Sequence, residues 1–532
     1  VGYLGGPQYF YRLSLSNGPY IDWVEPSAIS LTQETPSTAD LMVYGRNLPG
    51  GKPAEGVFIH GVQLEQTAVS IDLPKEMDQT DIMRSRLVNG SECLVDAMSY
   101  QLEPDGGWTN SVYLGFASAP LVFEEEPNDQ PSNAQAIEVP AEIQGNFDSL
   151  RDFDWFTFQA SKGDVYRIDL FSQRMGHSSD AFMLIQQLVE EEVAQDMQGQ
   201  NPKSQKSGED NQDERLSKDL HEIDDLPSGL SRRFKYMTLF YTDSFDPGVD
   251  FTAPADASYR IMVRNQVSSP GRHAAYRLSI HEPQPDYRLI TQRHELNWGP
   301  GNDGPNQCNY RPVQLHRGGA NMIDVYAVRR DGFEASIDVW IESLPEGVTC
   351  EAVTIQAGRN HTQLFLRAGE DAKQWSGPIV VKGKARIGEI EVIREARAAE
   401  IHWDGSWGRK EWPVTRLVAA TMLHIDGERP FPFRIQPVGT PPFSVSRAGK
   451  IEVPLEITRR DGYEDYKLEI EVLRGHLPEH IKSEMISVEK GKNTAVATFE
   501  IGPEADAEPH ALMLVAKAVS YTHLPLPTSD LV

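Results

Sequence analysis

The sequence predicts an all-β protein, a tandem array of β-sandwich modules, and three observations carry that expectation. Apolar residues fall in short runs of period two, such as Phe156, Phe158 and Ala160 or Tyr259, Ile261 and Val263, the spacing of strands with one buried face. The 36 Pro and 42 Gly are spread between those runs, which favours turns over long helices. At 532 residues the chain has room for about three to five domains. Acidic side chains outnumber basic ones by 78 to 50, a net charge of −28, and that surface argues against nucleic acid or an anionic membrane surface as the partner. No run approaches the roughly 18 apolar residues of a membrane span. Cys93, Cys308 and Cys350 are too few for a disulfide framework, and a single Cys308–Cys350 bridge is left open.

Residues 1–18 read as the last strand of a preceding sandwich. Tyr11-Arg12-Leu13-Ser14-Leu15 repeats Tyr276-Arg277-Leu278-Ser279-Ile280, and repeats of this kind organise arrays. Residues 19–122 carry I-D-W-V-E-P-S-A-I, L-M-V-Y-G-R-N-L-P-G-G and G-V-F-I-H-G-V-Q-L. They resemble the immunoglobulin-like fold of the transcription-factor and plexin type, with Gly and Asn at tight turns. His60 stands alone in an apolar run and reads as a packed or surface residue.

Residues 123–290 hold the candidate site. Glu124, Glu126 and Asn128 alternate, Asp129 follows, and Asp152 and Asp154 come about two dozen residues later. All six are oxygen donors suited to a hard cation such as Ca²⁺. In an extended segment the first three point to one side and Asp129 to the other, so bringing the two acidic edges together opposes carboxylates that repel unless a cation lies between them. The competing reading is a solvated acidic linker with an Asn-Asp turn. The Asn-Asp opening, the A-x-x-I-x-x-P step at 134–140, Gly145 ahead of Asp152-Phe153-Asp154-Trp155-Phe156, and the Lys162-Gly163 turn together resemble the bacterial pre-peptidase C-terminal domain. So do D-F-T-A-P-A-D-A-S-Y-R-I-M-V-R at 250–264 and G-R-H-A-A-Y-R-L-S-I at 271–280. The resemblance implies a small jelly-roll-like sandwich appended to a secreted protein, often a protease, with Ca²⁺ at the acidic opening. Residues 189–230, with twelve acidic and four basic side chains, bury too little to offset ordering and are expected to be a disordered insertion. A protease-sensitive or cation-attracting loop is the functional alternative.

Residues 291–445 and 446–518 read as two further immunoglobulin-like sandwiches, the first with a connecting region. Arg329-Arg330-Asp331-Gly332-Phe333 recurs as Arg459-Arg460-Asp461-Gly462-Tyr463. Asp-Gly between alternating runs predicts a hairpin in each copy, with the paired arginines covering an edge or a solvent face or, less simply, binding a carboxylate. Trp298, Trp340, Trp375, Trp403, Trp407 and Trp412 suit core or inter-domain packing, with a carbohydrate platform as the alternative. Residues 519–532, including V-S-Y-T-H-L-P-L-P-T, read as an adapter-like, non-native tail.

Catalytic motifs are missing from the sequence: there is no H-E-x-x-H, G-x-S-x-G or Walker loop. Gly299 to Gly304 fits G-x-G-x-x-G but contains Pro300 and opens no helix, and His177, Ser178 and Asp180 are too close in sequence to form a triad by themselves. The expectation is a non-enzymatic segment of a secreted, cell-surface or periplasmic bacterial protein, acting as spacer, accessory or binding modules for a protein or polysaccharide ligand. Two alternatives stand beside it. One is the accessory region of a secreted peptidase or other hydrolase whose catalytic domain lies upstream, and the other is a carbohydrate-binding module.

Overall fold

The computed structural model describes residues 15, 17–30, 37–59, 61–73, 88–103, 108–149, 151–177, 179–189, 217–226, 231–234, 237–267, 271, 274–293, 312–401, 415–426, 432–440, 442–472, 477–506 and 512–519. They form four tandem β-sandwiches, and only three short 3-10 turns interrupt the strands among the described residues. No helix there is long and apolar enough to cross a membrane. The repeat at 11–15 lies outside the described residues except for Leu15, as do His60, Ser178, the 299–304 loop, Cys308, four of the six tryptophans and 520–532.

In the first sandwich a four-stranded sheet (Tyr20–Glu25, Thr38–Arg46, Val62–Asp72, Lys52–Ile59) faces a three-stranded one (Ala28–Ser30, Val112–Ala117, Ala97–Tyr100). Ile21, Val24, Leu41, Val43 and Leu114 fill the space between them. The second sandwich packs Gly248–Thr252, Val165–Phe171, Ala275–His281, Ala141–Asn146 and Leu121–Phe123 on Gln135–Ala136, Asp154–Ala160, Ala257–Asn265, Ala181–Leu188 and Ser217–Ile223. The period-two residues Phe156, Phe158, Tyr166, Ile168, Leu170, Tyr259, Ile261, Val263, Tyr276, Leu278 and Ile280 form its core. Alternation therefore reports which side of each strand is apolar.

The expected disordered insertion is corrected at 217–223, which is a strand paired with Ala181–Leu188. A bulge skips Leu220, so Leu220 and Ile223 both pack on the core although their spacing is odd. That extra residue breaks the alternation by which a strand is recognised. Residues 190–216 lie outside the described residues.

Strand Asp286–Arg293 runs across the boundary read at 290/291 and belongs to the third sandwich, where it pairs with Ala320–Arg330. Long strand Ile390–Ile401 pairs with Val381–Ile387 through its first half and with Asp286–Arg293 through its second, which curls one sheet around the core. A small sheet of Val313–His316, Thr421–Asp426 and Trp375–Ile379 closes the other side. The fourth sandwich begins at Phe433–Pro437, ahead of the boundary at 446, because this strand pairs with Lys450–Arg459.

The expected Asp-Gly hairpins are also corrected. Ala320–Arg330 and Ile337–Ile341 do not pair with each other, nor do Lys450–Arg459 and Lys467–Val472. Six residues separate the strands of the first pair, where a tight hairpin needs about two, so each Asp-Gly turn is an arch between different parts of the sandwich. Glycine is required there, since Gly332 and Gly462 have φ of 79° and 87°. Arg329 and Arg459, expected on an edge or solvent face, instead cage backbone carbonyls inside the arches. Arg329 donates to the carbonyls of Ala335 (2.7 Å), Gln356 (3.1 Å) and Arg359 (2.8 Å). Arg459 donates to those of Tyr466 (2.7 Å) and Lys492 (3.2 Å).

The first three sandwiches share a buried junction. Cys93, Val95 and Tyr113 of the first, Phe171, Met175 and Phe240 of the second, and Ile290, Tyr326, Val328 and Leu417 of the third form one apolar cluster. Phe240 stacks on Tyr326 at 5.7 Å. Strand Val88–Asn89 from the first sandwich pairs with Thr415–Val418 of the third. Around this cluster Asp96 accepts from Arg288 at 2.5 Å and from Arg330 at 3.0 Å, and buried Arg174 pairs with buried Asp246 at 3.1 Å. Arg277, facing Glu142 at 3.6 Å, donates to the Phe116 carbonyl at 2.7 Å.

Candidate metal centre

Two chain segments of the second sandwich meet at its mouth. One is the extended stretch that follows Leu121–Phe123 and carries Glu124, Glu126 and Asn128. The other is the start of Asp154–Ala160, tied to the first by the Trp155 amide donating to the Asn128 carbonyl at 3.1 Å. The result brings carboxylate oxygens of Glu124, Glu126 and Asp154 within 4.8 Å of one another. Asn128 sits among them, fully buried. Its side-chain amide donates to Glu124 at 3.2 Å and its backbone amide to Glu126 at 3.0 Å.

Glu124 is the best satisfied member. It accepts from the Asn146 amide at 2.9 Å and the Tyr276 hydroxyl at 2.7 Å. Tyr276 stands opposite Gly145 in the register of the two strands. A side chain at 145 would meet the Tyr276 ring and hydroxyl at 2.5 Å and Glu124 at 2.7 Å, so glycine there is what lets tyrosine and glutamate touch.

Asp154 is the opposite case. It is fully buried, and neither carboxyl oxygen has a hydrogen-bond donor; Asn128 Oδ1 has none either. Tyr276 lies close to both Asp154 and Glu124, but a hydroxyl has one proton to donate, and Glu124 accepts it. Burial, then the charges of Glu124 and Asp152, push the Asp154 carboxyl up to about 10. Burial also raises Glu124, against its hydrogen bonds from Tyr276, Asn146 and Asn128, and burial followed by the charges of Asp154 and Glu124 raises Tyr276 well above the usual phenol.

The remaining two sequence candidates lie elsewhere. Asp152 accepts from Ser149 N and Ser149 Oγ, both at 3.2 Å, and from the Asp148 amide, so it closes the 148–152 loop and reaches the centre only through its charge. Asp129 is exposed. Tyr276 and Gly145 are the participants that the residue pattern did not single out as site residues, because only the strand register brings positions so distant in sequence together.

Chemically, the centre offers oxygen donors alone: three carboxylates and an amide oxygen. A buried carboxyl without donors is held neutral by a proton or neutralised by a cation. The donor set fits a hard divalent ion.

No protein-family model matches the chain, and no curated protein matches it. Among solved structures, the pre-peptidase C-terminal domain of a collagenase from Bacillus anthracis is similar to it at 13% identity, with 29% of this chain and 99% of that domain covered and a TM-score of 0.17.

Proposed function

We propose that the chain is a non-catalytic accessory segment of a secreted or cell-surface bacterial protein. Its second sandwich is a module of the pre-peptidase C-terminal type that takes Ca²⁺ at Glu124, Glu126 and Asp154, with Asn128 Oδ1 as a fourth donor. The other sandwiches, immunoglobulin-like in their sequence pattern, act as spacers and ligand-binding modules. The observation that carries the reading is Asp154, a fully buried carboxyl with no donor on either oxygen, facing two more carboxylates. Arginine would be the usual neutraliser of such a group, and none of its described hydrogen bonds or ion pairs supplies one. A small site of this kind suits the Ca²⁺ concentrations met outside cells, where modules bind at roughly 10⁻⁴–10⁻³ M.

Thermal unfolding of the full chain tests the site, with Ca²⁺ or with chelator. At a Ca²⁺ concentration a hundredfold above the dissociation constant, binding adds about 2.7 kcal/mol, and the midpoint rises. The rise is expected to vanish in Asp154→Asn and to persist in Asp129→Asn, whose side chain lies outside the cluster. An unchanged midpoint in the parent protein, with no calorimetric heat on adding Ca²⁺, removes the site.

A further inference from the structure

The contact between the third and fourth sandwiches is of a different kind from the junction that unites the first three. None of the buried apolar clusters among the described residues contains residues from both, and no strand of one enters a sheet of the other. Among the described residues, the ion pairs that bridge the contact are Arg460 of the fourth sandwich with Glu370 of the third, and Arg359 of the third with Asp506 of the fourth at 2.6 Å. Their side chains are 35% and 51% exposed in the first pair and 52% and 58% in the second. In the three-way junction, by contrast, Arg288 of the third sandwich and Asp96 of the first are 4% and 19% exposed, beside a buried apolar cluster. Arg460 is the repeat counterpart of Arg330, which reaches from the third sandwich to Asp96 of the first. The second arginine of each R-R-D-G arch is therefore the docking arm, and it ends in a half-buried network in one copy and in an exposed pair in the other.

We propose that the first three sandwiches form one rigid block and that the fourth docks on it through the Arg460–Glu370 and Arg359–Asp506 clasp, which holds at low ionic strength and releases at high. Exposed pairs are weak and screened by salt, whereas the buried junction is not. Two such pairs set the ratio of closed to open chains by a factor between about two and thirty.

Small-angle X-ray scattering of the full chain reads this directly. Raising salt from about 0.01 M to about 1 M shortens the screening length from about 30 Å to about 3 Å, and the distribution of maximum dimension is expected to broaden toward longer chains. The double variant Arg460→Glu, Arg359→Glu should show the broadened distribution already at low salt, with the circular dichroism of the parent. Adding Glu370→Arg and Asp506→Arg to it should restore the compact profile. Scattering that ignores both salt and charge reversal overturns the proposal, and so does a salt-induced expansion that the swapped charges fail to reverse.

Discussion

The acidic mouth of the second sandwich and the three-way junction both bury carboxylates, and they treat them in opposite ways. At the mouth, Asp154 meets other carboxylates and a neutral tyrosine, and burial pushes it up to about 10. At the junction, burial would likewise raise Asp169, but the hydrogen bonds and charge of Arg167, with Arg174 behind them, bring it down to about 2. Asp96, beside Arg288 and Arg330, is held well below the usual carboxylate range for the same reason. Depth is common to both regions; the partner decides the sign. A buried acid with its own guanidinium is structural cement, and a buried acid without one is neutralised by a proton or a cation.

The largest test of the contrast is to remove a guanidinium. Arg174→Ala strips buried Asp246 of its guanidinium and leaves it the backbone amides of residues 173 and 174 at 2.7 and 2.8 Å; breaking a buried ion pair costs about 3–5 kcal/mol, and the two amides place this loss at the low end. Urea unfolding should show that loss in the transition of the three-sandwich block. Replacing both partners by apolar residues should cost less than either single change, because no charge is then left stranded. A single-variant loss below about 1 kcal/mol would mean that the two backbone amides neutralise Asp246 by themselves and that its guanidinium adds nothing.

At the mouth the same logic predicts the reverse sign. A carboxyl whose folded pKa is raised leaves stability intact below its unfolded value near 4, and stability is lost as pH climbs toward the folded value of about 10. In chelator, the chain should therefore weaken between pH 5 and pH 8, by at most about 4 kcal/mol from Asp154, and Asp154→Asn should flatten that slope and raise stability at pH 8. With Ca²⁺ the trend inverts, since the ion needs the deprotonated acid and binds more tightly as pH rises. Unfolding curves at several pH values that are parallel for parent and variant would rule out a raised Asp154.

These contrasts also mark what the sequence could express. Strand alternation located the sandwich faces because the pleat imposes period two on every residue, and it also singled out positions 124, 126 and 128 with 152 and 154, of which Asp152 closes its own loop outside the cluster. Alternation does not say what covers the other face. Asp169, Arg260, Arg277 and Arg288 stand where a strand turns away from its own core, the position of a solvated side chain. All four are buried, Asp169, Arg277 and Arg288 within contacts that involve or adjoin a neighbouring sandwich. The bulge at Leu220 hid a strand by shifting its parity, and the arches at Asp331 and Asp461 borrowed the dipeptide of a hairpin. In each case the missing information was a contact between residues far apart in the chain.

The smallest effect separates the two arches themselves. Arg329 lies over the Phe333 ring at 5.2 Å and Arg459 over Phe433 at 5.8 Å, each with its planar fork spread over carbonyls of its own arch and of a second turn, 356–359 for Arg329 and 489–492 for Arg459. A lysine keeps the charge but offers one point in place of a fork. Arg329→Lys and Arg459→Lys should therefore each cost about 1–2 kcal/mol, the scale of a lost charged hydrogen bond. The losses should appear in different places: the first in the unfolding of the three-sandwich block, the second in that of the fourth sandwich, with the other transition unmoved in each case. If Arg329→Lys shifted both transitions equally by calorimetry, the four sandwiches would unfold as one unit and the division into a three-sandwich block and a docked fourth would fail. If neither moved, the cages would be incidental, and the arches would be held by their Asp-Gly backbone alone.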